Sequence, residues 1–288
     1  ARSEMCIRDR LGTGQTLATT TRLVAAPDQY RFEGEDLGDW FAAQIQAQID
    51  DMNANGIKFA GFLADSIFSS DGVMPNPIGF LKKAVDVVHA NGGIFIADEV
   101  QPGFARTGDS FWGFGRHGVV PDIITTGKPM GNGIPVSGLL AKDHVLSAFS
   151  QKIPYFNTFG GNPVAMAAAQ AVLKTIQEEE LQAHSQRLGG LLLTELRKLM
   201  EKYDCVGDVR GAGLFIGFEL VQDRFTKMPD KALALDLIEE LRNTHRVLTS
   251  VAGPYGNVLK LRPPLVFQEK DIDWLVGALD QALRKLQK

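Results

Sequence analysis

The four residues Ile94-Phe95-Ile96-Ala97 constrain the fold of this chain more than any others. They form a continuous apolar run, opened by Asn91-Gly92-Gly93 and closed by Asp98-Glu99. An uninterrupted run bounded by glycine and charge predicts a strand buried on both faces, as in parallel sheets covered by helices. The flanking sequence agrees. Phe41, Ile45, Ile49 and Met52 recur at helical spacing and lead to a short apolar run, Phe59 to Ala64. Asn76-Pro77 reads as a helix start, with Phe80, Leu81, Ala84 and Val88 on one face. Asp122 to Thr126 and Val136 to Leu140 read as two further strands. Asn162-Pro163 opens another helix, with Ala165, Ala168, Ala169, Val172, Leu173 and Ile176 on one face. This alternation predicts an α/β fold, a mostly parallel sheet with flanking helices.

The pattern changes after Ile176. Leu188, Leu191, Leu192, Leu196 and Leu199 mark a long amphipathic helix suited to joining two units. Strand-like Gly213 to Val221, a helix through Ala234, Ile238 and Leu241, a strand from Val258 interrupted at Pro263-Pro264, and a closing helix follow. The expected organisation is a large domain over 11–180, a linking helix over 181–204 and a smaller α+β domain over 205–288. Residues 1–10 share no periodicity with the rest and read as a non-native remnant.

Composition narrows the function. With 30 Lys and Arg against 34 Asp and Glu, the net charge is -4, which argues against a nucleic-acid partner. Two cysteines, Cys6 and Cys205, build neither a disulfide framework nor a cysteine zinc site. No apolar run approaches the roughly 18–20 residues that span a bilayer. A cytoplasmic protein with no membrane partner is the expectation.

Three stretches carry chemistry. Asp98 follows directly from the central strand, where open α/β sheets bind ligands, although a lone Asp there also serves as a turn cap. Lys128 lies just past another strand, among Gly127, Gly131 and Gly133. A lysine held in such a pocket can lose its proton and react with carbonyls; one on a surface turn does not. Asn157-Thr158-Phe159-Gly160-Gly161-Asn162-Pro163 leads into a helix amino terminus, suited to a phosphate or simply a good cap. Gly113-Phe114-Gly115-Arg116-His117-Gly118 matches Gly-x-Gly-x-x-Gly, but lacks the preceding strand and following helix of a dinucleotide site. The five histidines show no metal-ligand spacing, and no serine nucleophile elbow exists.

Phe95 to Gly108, Pro121 to Lys128 and Asn157 to Pro163, about thirty residues apart, together resemble the class III aminotransferases, fold-type-I enzymes that use pyridoxal 5'-phosphate. Phe111-Trp112-Gly113-Phe114, Lys128 to Gly133 and Tyr155 to Thr158 are similar to the branch holding alanine–glyoxylate aminotransferases and ethanolamine-phosphate phospho-lyases. The resemblance implies that Lys128 is the Schiff-base lysine, that Asp98 pairs with the pyridine nitrogen, and that Gln101 bonds the phenolic oxygen. It implies that Thr158 contacts the phosphate from across a homodimer with shared active sites. Asp65-Ser66 stands where the family carries Glu-Pro. Lys260 occupies the place of a substrate-carboxylate arginine, and Arg262 lies two residues on, on the same face of an extended strand. Asp65, Lys260 and Arg262 are the substrate candidates.

The implied reaction moves an amino group from an amine or amino acid donor to a 2-oxo acid or aldehyde acceptor. The alternatives are phosphate elimination from a phosphorylated amino alcohol, and a catalytically incomplete fragment. The family's glycine–serine phosphate cup and stacking aromatic have no counterpart before Val24, where Gly12-Thr13-Gly14-Gln15-Thr16 stands instead, so the chain reads as shortened at its amino end.

Overall fold

The computed structural model describes residues 17–287. Residues 1–10, Cys6 and Gly12 to Thr16 lie outside them.

A four-stranded sheet is formed by β1 (Gly61–Asp65), β2 (Ile94–Asp98), β3 (Ile123–Thr126) and β4 (Gly138–Ala141), in that order. β1, β2 and β3 run parallel and β4 is antiparallel, as the alternating pattern predicts. Helices α1 (Leu37–Ala54) and α2 (Leu81–Ala90) cover one face. Phe41, Ile45 and Ile49 of α1 and Leu81, Ala84 and Val88 of α2 pack there on Phe95 and Ala97. Burying the Phe, Ile, Leu and Val side chains among them contributes roughly 1.5–3 kcal/mol each. The expectation of a strand buried on both faces is corrected. Phe95 and Ala97 are fully covered, but Ile94 and Ile96, which point the other way, are only half-buried. Continuous apolar runs arise from either arrangement, so the run alone does not decide it. The predicted start at Asn76-Pro77 is also corrected: α2 begins at Leu81, because Gly79 adopts φ +90°, outside the helical range.

Helix α3 (Asp143–Ser150) follows β4, and α4 (Pro163–Glu178) starts where Asn162 predicts, the Asn162 side chain accepting from Ala165 N at 3.0 Å. Of its predicted face only Ala165 and Ile176 are buried.

The second sheet is antiparallel. β5 (Val206–Ala212) pairs with β6 (Phe215–Asp223), β6 with β9 (Val258–Leu261), and β9 with β8 (Ser250–Ala252); the two-residue β7 (Met228–Pro229) pairs with β6. Helices α5 (Leu181–Lys202), α6 (Lys231–His245) and α7 (Glu269–Leu286) close its core over Ile216, Phe218, Leu220, Leu259 and Leu261. Leu188, Leu192 and Leu196 of α5 are fully buried in this core, and Cys205 is buried there too.

The two sheets meet where three backbones touch. A methyl placed on Gly189 of α5 would lie 2.1 Å from Gly213 O, and one on Gly213 (φ +51°) would lie 2.5 Å from Arg106 O. Arg106 O in turn accepts from Leu214 N at 3.1 Å and from Ser185 Oγ at 2.9 Å.

Candidate active site

Parallel pairing brings the carboxyl ends of β1, β2 and β3 side by side, which is where open α/β sheets present ligand-binding groups. Asp65 pairs in register with Asp98, and Asp98 with Thr125. Asp98 is 6% exposed, so this acid faces inward from the strand end. Its Oδ1 accepts from Val100 N at 3.1 Å, so the turn-cap role coexists with placement in the site.

Lys128 lies three residues past Thr125, opening a short 3-10 turn that ends at Gly131. Its φ is +28°, a backbone conformation that non-glycine residues adopt only when their surroundings impose it. Gly131 is required by close approach, since a methyl there would lie 2.7 Å from Val136 Cγ1. Helix α4 packs against this turn.

The turn after β1 contributes groups that sequence reading misses. Asp65 accepts from Ile67 N at 2.9 Å, from Ser69 N at 3.1 Å and from Ser69 Oγ. Burial pushes the Asp65 carboxyl up to about 6, with the Ser69 and Ile67 bonds opposing and neighbouring Asp98 adding to the rise. Gln101 Nε2 donates to Ser69 Oγ at 2.5 Å and Ser70 Oγ at 3.3 Å, and Gln101 Oε1 accepts from Arg262 at 3.2 Å. Asp65, Ser69, Gln101 and Arg262 therefore form one continuous hydrogen-bonded row.

Arg262 reaches the strand ends of the first sheet from just past β9. Lys260 lies within β9, its backbone paired with Gly217 and Ser250. Behind Arg262, Arg106 donates to Leu214 O and Pro263 O. Burial and the like charge of Arg262 lower Arg106 to about 10. Among the described residues neither guanidinium is ion-paired, which leaves local positive charge beside Gln101. Thr158 is not brought into this group: it sits on an exposed loop, and its hydroxyl has no hydrogen bond among the described residues.

Glu99, adjacent to Asp98, turns the opposite way into the interior and is fully buried. It accepts from Ser66 Oγ at 2.8 Å, Gly113 N at 2.6 Å and Phe114 N at 2.9 Å. The Gly-x-Gly-x-x-Gly stretch thus offers its amides to an internal carboxylate, in agreement with its rejection as a nucleotide loop. Burial raises Glu99 to about 7 despite these bonds. His117 bridges Gly79 N and Ser66 O, and burial lowers it to about 4, so it is neutral at physiological pH.

A cavity of about 710 Å³ runs along β1, with Asp65, Asp98, Gln101, Ser70 and Tyr255 in its lining and Arg22 also in its wall.

The sequence profile of the family described as aminotransferase class-III matches residues 8–283. An alanine–glyoxylate aminotransferase 2-like protein of Drosophila melanogaster is 40% identical over 273 residues, 92% of this chain and 55% of that protein. An ethanolamine-phosphate phospho-lyase homolog of Caenorhabditis elegans is 40% identical over 253 residues, 87% of this chain and 54% of that protein. Among solved structures, a phospholyase from Arthrobacter in complex with phosphoethanolamine superposes with a TM-score of 0.90 at 38% identity, covering 95% of this chain and 65% of that one. A Bacillus anthracis aminotransferase superposes with a TM-score of 0.83 at 32% identity, covering 91% and 61%. The chain spans about half the length of the curated relatives it matches. With the profile covering nearly all of the sequence and the parallel strand ends carrying Asp98 beside the Lys128 turn, the chain belongs to the class III aminotransferases.

Proposed function

We propose that this chain carries the lysine- and acid-bearing part of a pyridoxal-phosphate aminotransferase site, serving transfer of an amino group from an amine or amino acid to a 2-oxo acid or aldehyde. The observation that carries this reading is the placement of buried Asp98 at a parallel strand end, with Lys128 just beyond the neighbouring strand. Enzymes of this class use pyridoxal phosphate, and the donor set fits the ring end of that group: an anion for a ring cation, an amide for a ring oxygen and an amine for an aldehyde.

When bound, the cofactor supplies an electron sink for electrons released at a substrate carbon. Asp98 would hold the proton on the ring nitrogen, a role that needs an anion, because a neutral partner leaves the ring charge uncompensated. Lys128 Nζ would hold the cofactor and carry the proton to and from the substrate carbon. Gln101, its amide plane set by Ser69 and Arg262, would bond the ring oxygen. Arg262, with Arg106 behind it, would orient the acidic group of the substrate; Lys260, two residues earlier, and Asp65, behind Ser69, would shape the same side. Thr158 would reach the phosphate of a second copy. Exposed Tyr155, Phe156 and Phe159 beside it support burial of that loop in a homodimer.

Phosphate elimination is the second reading, favoured by the 0.90 TM-score to a phospholyase holding phosphoethanolamine. A panel of amino acids and phosphorylated amino alcohols separates the two, through oxo-acid formation on one side and phosphate release on the other. The first test is absorption of the purified chain with pyridoxal phosphate, beside Lys128→Ala. A visible band that borohydride fixes onto Lys128, identified by peptide mass spectrometry and absent in the variant, is expected. Attachment to a different lysine, or no band in a chain folded by circular dichroism, overturns the assignment.

A further inference from the structure

The loop that follows β1 is held in an uncommon conformation. Phe68, Gly72 and Val73 have φ of +48°, +121° and +62°. For a β-branched residue such as Val73 this is a true outlier, stable only where surrounding contacts over-determine it. The same loop carries Ser69 and Ser70, which hold the Gln101 amide, and Ser69 also holds Asp65.

The loop closes on itself through Val73 N to Phe68 O at 3.1 Å and Met74 N to Ile67 O at 2.7 Å, and the other sheet adds the contacts that anchor it. Arg210 of β5 is 1% exposed. Its Nε donates to Val73 O at 2.8 Å and its Nη2 to Gly72 O at 2.6 Å. Its Nη1 meets Asp208 at 2.7 Å and Glu219 at 2.6 Å. Glu219 is itself fully buried and takes Arg31 at 2.6 Å and Asn257 Nδ2 at 3.2 Å on its other oxygen. Ile67, Val73 and Phe215 form a small apolar cluster beside this network. A buried ion pair of this kind is poor value as pure stabilisation, since apolar side chains of similar volume often do as well. What apolar side chains do not supply is a planar fork that takes two successive carbonyls in fixed geometry.

We propose that Arg210 is a positioning residue of the candidate active site: its fork on Gly72 O and Val73 O fixes loop 66–74, and through Ser69 and Ser70 sets the Gln101 amide. The functional consequence rests on the reading of Gln101 given above, while the effect on the loop does not.

The experiment compares the 288-residue chain with Arg210→Met, Arg210→Lys and Glu219→Gln, by hydrogen–deuterium exchange read on peptides covering 66–74 and 192–199. Arg210→Met is expected to speed exchange of 66–74 by roughly tenfold or more beyond any change in 192–199, the scale of lost charge-assisted bonds. Arg210→Lys, able to serve one carbonyl, falls between. Glu219→Gln keeps the fork and is expected to leave 66–74 protected. Unchanged exchange in 66–74 in both Arg210 variants, or equal acceleration in 66–74 and 192–199, overturns the proposal; if Arg210→Met does not fold, Arg210→Lys alone decides by the same two criteria. Pyridoxal phosphate titration of the same proteins, expected to weaken roughly tenfold in Arg210→Met, reports on the site. If the parent chain binds no cofactor, the cofactor reading fails while the exchange data still judge Arg210.

Discussion

In the second sheet, buried Arg210 and Glu219 meet at 2.6 Å, whereas in the first sheet Asp65 and Glu99 are buried among hydroxyl and amide donors. Among the described residues neither of those two acids has an ion pair, and burial moves them to about 6 and about 7. The apolar parts differ in the same sense. Along β6, seven successive residues from Phe215 to Val221 are buried, while β2 covers one face and leaves Ile94 and Ile96 half open. The second sheet sets its buried charges against opposite charges; the first concentrates acids raised towards neutrality at its strand ends. A group so perturbed and facing a cavity, as Asp65 is, marks a candidate functional site.

The sharpest way to break this comparison is to remove one partner in each half. Glu219→Ala leaves Arg210 and Arg31 without their shared carboxylate and is expected to lower stability by about 3–5 kcal/mol in urea unfolding. Asp65→Asn is expected to stay within about 1 kcal/mol at neutral pH, because it removes a charge whose burial is unfavourable. Similar losses in the two would erase the distinction.

Truncating apolar side chains tests the same contrast. Leu192→Ala, in the closed core, is expected to cost about 3 kcal/mol, and Ile96→Ala, on the half-open face of β2, about 1 kcal/mol. Thermal and urea unfolding of the pair would show whether the two faces differ as the burial indicates.

The smallest effect is a change of slope with pH. Glu99 has a folded value raised above its ordinary 4.5 to about 7, so its contribution is most favourable below about 4.5 and is lost as pH rises through about 7. His117 works in the opposite sense: lowered to about 4 from 6.5, it removes stability as pH falls through that window. The raw curve therefore partly cancels, and the difference between parent and Glu99→Gln isolates the acid. The variant is expected to gain about 2 kcal/mol on the parent between about pH 5 and about pH 7.5. Parallel curves would show that Glu99 stays ionised throughout.

What the sequence discloses follows from how local each signal is. The apolar runs of β2 and β3 and the Asn162 cap act within a few residues, and all are legible. β5 escapes because Asp208 and Arg210 interrupt its apolar pattern, although Arg210 is buried by partners on β6 and on the loop after β1. Asp98 and Lys128 can be picked out by their place after strands, but Ser69 and Glu99 cannot. Their bonds join residues tens of positions apart, and only the parallel register brings those together. Lys260 and Arg262 are equivalent by spacing; the bond to Gln101 distinguishes Arg262.

The meeting of Gly189, Gly213 and Arg106 has a consequence for anyone engineering this scaffold. The halves touch there through main-chain atoms, Arg106 O accepting from Leu214 N, and through the side chains of Ser185 and Arg106 beside them. One added carbon acts there as a shim. Gly189→Ala, with only 2.1 Å to Gly213 O, wedges α5 against the turn between β5 and β6, the same turn that Arg106 O meets from the first half.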